Sequence, residues 1–199
     1  MRDCKIDVST GFLAFICAYA FFDPLNSFVV FVFSVVCHEL AHIAVAVVLK
    51  KKVYEIFVGI NGCQIRMDPM DYKQELLVAV AGPFANFILF MIGARLDPLL
   101  CLTNLVLLGY NLLPIYPLDG GRILRGILRI MIPITWAELV EKLCVLGCFS
   151  VIVYFAVYLC CVLHAGLWPV LLCGFLIYRL GETILPNYNF LLDKLQIPW

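Results

Sequence analysis

The chain has 199 residues, 64% of them hydrophobic and 14% charged, with a net charge of zero and a mean hydropathy of +1.01. Soluble domains carry about 45–50% apolar and about 25% charged residues, so this composition excludes a water-soluble fold and points to a membrane protein. The balanced charge gives no sign of nucleic-acid binding.

A helix needs roughly 20 apolar residues to cross the hydrocarbon core, and six stretches are candidates. The opening MRDCKIDVST puts charges ahead of an apolar run, as a signal peptide does. That run continues past signal length with no small-residue cleavage site, so it reads as a retained first span. This span is Gly11–Phe22, short unless Val8–Thr10 contribute. Asp23-Pro24 then supplies an N-cap and a first-turn proline for a second span, Pro24–Leu49. The third runs from Leu76 to Ala94 and the fourth from Pro98 to Leu118. Leu143–Tyr178 is long enough for a fifth and a sixth, with the turn at His164–Pro169. An N-terminus in the cytoplasm puts Lys50, Lys51, Lys52, Arg122, Arg125 and Arg129 inside with most other cations, and leaves only Arg95 outside. That bias satisfies the positive-inside rule. The expected fold is therefore an all-α polytopic membrane protein with about six transmembrane helices and both termini cytoplasmic.

Between the second and third spans, VYEIFVGINGCQIRM carries two β-rich stretches around Asn61-Gly62, the strongest short hairpin signal. A small membrane-associated β-hairpin is expected at 53–67, with an edge able to pair with an extended peptide. The ten cysteines contain no CxxC pair. Most lie in apolar runs, Cys17, Cys37, Cys101 and Cys144 among them, and read as small core residues.

The second span contains HELAH. His38 and His42 are four residues apart and share one helix face, about 6 Å apart along the axis, a spacing at which two imidazoles grip one zinc ion. Glu39 projects about 100° round from His38, beside such an ion and placed to take a proton from water. Chance produces HExxH in roughly one such chain in a thousand, and three ionisable groups in a lipid-embedded helix are functional by default. His42 lies about 12 Å before Lys50, so the site is inside the membrane and nearer the cytoplasm.

Catalytic zinc takes three protein ligands and keeps one position open. His164 is at the opposite face and is excluded. The fourth span ends NLLPIYPLDGG, where Pro114 and Pro117 break the helix and Gly120-Gly121 permits a sharp turn. Irregular backbone at membrane depth persists only where it is buried or lines a watery cavity. Asp119, in that segment, is the candidate third ligand.

HELAH in one span, AGPFAN in the next and NLLPIYPLDGG after it together resemble the site-2 protease family of intramembrane zinc metalloproteases. The motifs cover residues 38–121, and the six-span layout extends the likeness over most of the chain. The resemblance implies one zinc ion on His38, His42 and Asp119, with Glu39 as catalytic base. It also implies substrate-holding roles for Asn111, Pro114 and Pro117, and a place near the active site for Asn86. The layout is most similar to the stage IV sporulation protease branch, which cleaves a membrane-tethered sigma-factor precursor. The partners so implied are a membrane-tethered protein substrate and the lipid bilayer, with a regulatory membrane protein or a second copy as further candidates. Residues 1–199 are expected to form a single metalloprotease domain without a CBS or PDZ domain. The rival reading is a zinc transporter or metal-binding scaffold, which requires further ligands along a transmembrane path. A second rival is a catalytically dead relative, against which the intact set of His38, Glu39, His42 and Asp119 argues.

Overall fold

The structure, a computed structural model, describes residues 5–22, 27–59, 62–161 and 174. Ser9 separates a short strand, β1 (Lys5–Val8), from the first helix, α1 (Thr10–Phe22). Its hydroxyl accepts the Phe12 N–H at 3.2 Å, which satisfies one of the orphan donors of the first turn. Val8 therefore belongs to a strand and adds nothing to the first span, which has 13 residues.

The second helix, α2 (Ser27–Val48), buries Ser34, His38, His42 and Ala46, one residue every four. The stripe marks the face turned into the protein, while apolar side chains such as Val36, Leu40 and Val47 point outward and stay exposed, as a lipid-facing surface requires. The helix ends in a Schellman arrangement. Lys51 N–H donates to Ala46 O at 2.9 Å and Lys50 N–H to Val47 O at 2.8 Å, with Lys50 at φ 59°.

The expected hairpin forms from β2 (Val53–Gly59) and β3 (Gly62–Met67), paired antiparallel from Val53↔Met67 to Gly59↔Gly62. Asn61, the first residue of the predicted turn, lies outside the described residues. β1 adds to β2 in parallel, Lys5↔Glu55 through Val8↔Val58, giving the sheet order β1-β2-β3. The ribbon thus has a third strand that the sequence reading did not anticipate, and β2 is its centre. Tyr54 reaches out of the sheet to hydrogen-bond Asp68.

The third helix, α3 (Tyr72–Leu96), starts with a capping box in which Gln74 N–H donates to Asp71 Oδ1 at 2.8 Å. Asp97 closes α3 and opens the fourth helix, α4 (Pro98–Asn111), by accepting the Leu99 N–H at 2.9 Å. The one-residue connection forces the two helices together at Gly93, where a Cβ would stand 2.4 Å from Cys101 N. α4 stops at Asn111, seven residues before the expected end at Leu118. Pro114 and Pro117 cannot continue the ladder, and the chain crosses in turns to a further helix, α5 (Asp119–Met131).

α5 was not expected from the sequence. Gly120 and Gly121 lie within its first turn and serve close packing in place of the predicted sharp turn. A Cβ on Gly120 would meet Leu112 O at 2.3 Å, and one on Gly121 would meet Tyr116 N at 2.4 Å. Arg125 holds α5 to the next helix, α6 (Ile134–Cys161), through Glu141 Oε1 at 2.6 and 2.9 Å. α6 begins nine residues before the expected fifth span. The expected sixth span lies outside the described residues, apart from Gly174.

Among the described residues, three helices are long and apolar enough to cross a bilayer: Ser27–Val48, Tyr72–Leu96 and Ile134–Tyr158. The chain is a mostly helical membrane protein with a small sheet.

Lys50 supplies a stability test. A side chain in the left-handed region is strained by about 1–2 kcal/mol relative to glycine. Lys50→Gly is therefore expected to stabilise the end of α2 by about 1 kcal/mol, read as a higher melting temperature in detergent micelles.

Candidate active site

Helix α2 presents His38 and His42 on its buried stripe, and α3 packs against them at Gly82. A Cβ on Gly82 would lie 2.3 Å from His42 Nε2 and 2.6 Å from His38 Nε2. Only a residue without a side chain lets the imidazoles occupy this space. Four residues away on α3, Val78 O receives the His42 Nδ1–H at 2.7 Å. A carbonyl can only accept, so His42 carries a proton on Nδ1, and its neutral ring presents a lone pair at Nε2.

The third member arrives from the start of α5. Asp119 Oδ2 stands 3.0 Å from His38 Nε2 and 3.1 Å from His42 Nε2, and the two imidazole nitrogens are 3.1 Å apart. All three residues are buried, at 5–6% exposure. His42 Nε2 and Asp119 Oδ2 face one another as acceptors, which is repulsive unless a cation or a proton lies between them. The triad is a group that can hold one metal ion. Donors on a tetrahedral ion at bond lengths of about 2.0–2.1 Å stand about 3.3 Å apart, and these edges come within about 0.3 Å of that. The other oxygen, Asp119 Oδ1, is 3.4 Å from Arg122 Nη1, and Arg122 Nε is 3.6 Å from Glu75 Oε1.

Glu39 does not join the triad. It lines a cleft of about 630 Å³ that opens beside the triad, between β3 and the segment around 110–119. The Cys63 thiol of β3 borders the same cleft. Burial, together with the neighbouring Glu39 carboxylate, pushes that thiol up to about 12, so Cys63 is a protonated donor at neutral pH. Gln64, Ile65 and Met67 of β3 line the cleft on the same side.

The sequence-predicted residues sort into three positions. His38, His42 and Asp119 come together, and Glu39, Asn111 and Pro117 line the cleft beside them. Asn111 Nδ2 donates to Leu107 O at 3.1 Å, which leaves its amide oxygen for other partners. Pro114 is not part of the cleft lining. Asn86 is fully buried behind the site, one helical turn from Gly82. Sequence reasoning missed Gly82, Arg122, Tyr116 and Cys63. Gly82 lies inside AGPFAN, and Arg122 follows Asp119 by three residues, one helical turn, so both carried a positional signal. Tyr116 and Cys63 depend on how distant segments fold together. The ring of Tyr116 lies under Arg125, 4.3 Å from the guanidinium carbon.

No family model matches the chain. It is 40% identical over 114 residues to a zinc metalloprotease of Methanocaldococcus jannaschii, covering 51% of this chain and 34% of that protein. It is 32% identical over 138 residues to the stage IV sporulation protein FB of Bacillus subtilis, covering 60% of this chain and 48% of that protein. The chain thus spans between a third and a half of the length of these curated relatives. The solved structure titled as the site-2 protease from Methanocaldococcus jannaschii superposes with a TM-score of 0.61 at 25% identity. That match covers 92% of this chain and 91% of the other.

Gly82→Ala tests the close approach. Its methyl group would occupy the space between the two imidazoles, so the purified variant is expected to lose most of its divalent metal in elemental analysis. Circular dichroism on the same sample is expected to show wild-type helix content, because alanine is a good helix former and the atoms nearest the new methyl all belong to the two imidazoles.

Proposed function

We propose that this chain, a relative of the site-2 proteases in motifs and in fold, is an intramembrane zinc metalloprotease that hydrolyses a peptide bond in or next to a substrate's transmembrane segment. The supporting observation is the approach of His38, His42 and Asp119 to within 3.1 Å of one another at the wall of a cleft that also holds Glu39. His38, His42 and Asp119 are the proposed ligands of one zinc ion. Bound there, zinc supplies a Lewis acid for the scissile carbonyl and lowers the pKa of water toward neutrality.

Glu39 is the proposed general base. Its carboxylate takes a proton from the attacking water and delivers it to the leaving amine. A peptide bond within an intact helix is shielded by its own backbone, so the substrate must be unwound before it is cut. Strand β3 borders the cleft and lies at the edge of the described sheet, where an extended peptide can pair with it. Asn111 and Pro117 border the opposite wall and are proposed to hold the other side of that peptide. Pro114 is assigned the indirect role of ending α4 so that this wall can form, and Asn86 a role behind the ligands.

We further propose that the substrate is membrane-tethered and that the site faces the cytoplasmic half of the bilayer, where Lys50, Lys51 and Lys52 close α2. A sigma-factor precursor is the specific substrate suggested by likeness to the stage IV sporulation branch. Residues 1–199 are taken as one membrane-embedded protease domain. A transporter would need successive metal sites, and among the described residues His38, His42 and Asp119 form the one group suited to a metal.

Co-expression with candidate membrane-tethered substrates tests the reading. Glu39→Gln is expected to keep zinc near one equivalent while cleavage falls by at least about 10²–10⁴-fold, with the wild-type cut mapped by the product's new terminus. Undiminished cleavage in that variant would sink the mechanism.

A further inference from the structure

Among the described residues, five buried side-chain atoms have no hydrogen-bond partner: His38 Nδ1, Asn86 Nδ2, Asn86 Oδ1, Asn104 Oδ1 and Arg129 Nε. Four of these belong to three residues on three helices that pack together, α2, α3 and α4. Asn86 and Asn104 are fully buried, and His38 is 5% exposed. Unpaired polar atoms are costly anywhere in a protein interior, and more so where lipid leaves no bulk water to relax them.

Helix register relates their positions. His42 meets Val78 and the two imidazoles meet Gly82, so α2 and α3 run antiparallel in register here. Continuing that register by one turn, about 6 Å along each helix, places Ser34 opposite Asn86. Asn104 Nδ2 from α4 donates to Ser34 Oγ at 2.9 Å. One layer beyond the metal ligands, away from the cleft, the three helices thus bring together Ser34, Asn86 and Asn104. His38 Nδ1 is on the ligand side of that layer. The unpaired atoms are also complementary to water. The Asn86 amide and His38 Nδ1–H offer donors, and the two asparagine oxygens offer acceptors. A buried water makes about three hydrogen bonds and needs two to four polar partners.

We propose that this layer binds a buried water that accepts the His38 Nδ1–H and donates to Asn86 Oδ1, which makes Asn86 a positioning residue for His38. The inference rests on the reading of His38 as a metal ligand through Nε2, because Nδ1 must then carry the proton. Metal-bound histidines almost always donate that second N–H to a partner. His42 does so to Val78 O. The water gives His38 the equivalent support, fixing its tautomer and ring orientation from the side away from the cleft.

The test uses the full zinc-loaded chain in lipid bilayers, with uniformly ¹³C,¹⁵N-labelled histidine and ¹³C-carbonyl-cysteine. Of the three histidines only His38 follows a cysteine, Cys37, so one-bond transfer from the Cys37 carbonyl identifies the His38 backbone amide, and transfer along the histidine's own ¹³C side chain carries that assignment to the ring Nδ1. Proton-detected solid-state NMR then reads magnetisation transfer from water to the His38 Nδ1–H. The expected result is a water cross-peak at that proton that is lost in Asn86→Leu, with zinc affinity in the variant weaker by about 10- to 100-fold. Asn86→Ser, which keeps a donor and an acceptor, is expected to retain the peak. A dry Nδ1–H in zinc-loaded wild type overturns this inference alone, as does a peak unchanged in Asn86→Leu. If that variant does not fold, the wild-type spectrum and Asn86→Ser still decide. Zinc content is measured on the same samples, and a wild-type chain that binds none overturns the metal reading and this inference with it.

Discussion

Two imidazoles and a carboxylate can be held at mutual distances near 3 Å inside a bilayer only if nothing else competes for the space they share. Here that condition is met by the missing side chain of Gly82. The rest of the arrangement follows from keeping α3 pressed against α2 at that point. The capping box at Asp71 and Gln74 fixes where α3 begins, and Val78 O ties its second turn to His42. At the far end, the shared cap at Asp97 and the backbone contact of Gly93 with Cys101 bind α4 to the same helix. α3 is therefore the spine against which both other core helices are set.

Asp119 is brought in by a different kind of contact. Gly120 and Gly121 let the first turn of α5 lie directly on the backbone of residues 112–116, so the carboxylate is positioned by main-chain packing. Arg122, Arg125 and Arg129 then reach acids on α3 and α6. These partly buried pairs orient α5 more than they stabilise it, because desolvation offsets much of their attraction.

The meeting of His38, His42 and Asp119 was the most legible part of the sequence. HExxH places two imidazoles and a carboxylate by helical geometry alone, and a proline-broken span ending in LDGG marks where irregular backbone must face a cavity. The start of α4 at Pro98 was legible, whereas α3 begins at Tyr72, four residues before the expected Leu76, in spite of its capping box. Three things were hidden. Strand β1 is only four residues long and exists through its pairing with β2. α5 is an amphipathic helix of 13 residues whose charges read as a cytoplasmic loop, since its partners on α3 and α6 are distant in sequence. The glycines of AGPFAN and LDGG were identifiable as special, but whether a glycine serves a turn or a close approach depends on what packs against it.

The early end of α4 carries a consequence for the lipid. Fourteen residues extend about 21 Å, well short of a hydrocarbon core about 30 Å thick. Hydrophobic mismatch of this sort is relieved by local thinning of the bilayer or by tilt. Thinning beside α4 would shorten the dry path between the aqueous phase and Asp119. It would also leave fewer residues of a neighbouring lipid-embedded helix covered by acyl chains, so that its end becomes hydrated, and easier to unravel, before it meets the protein.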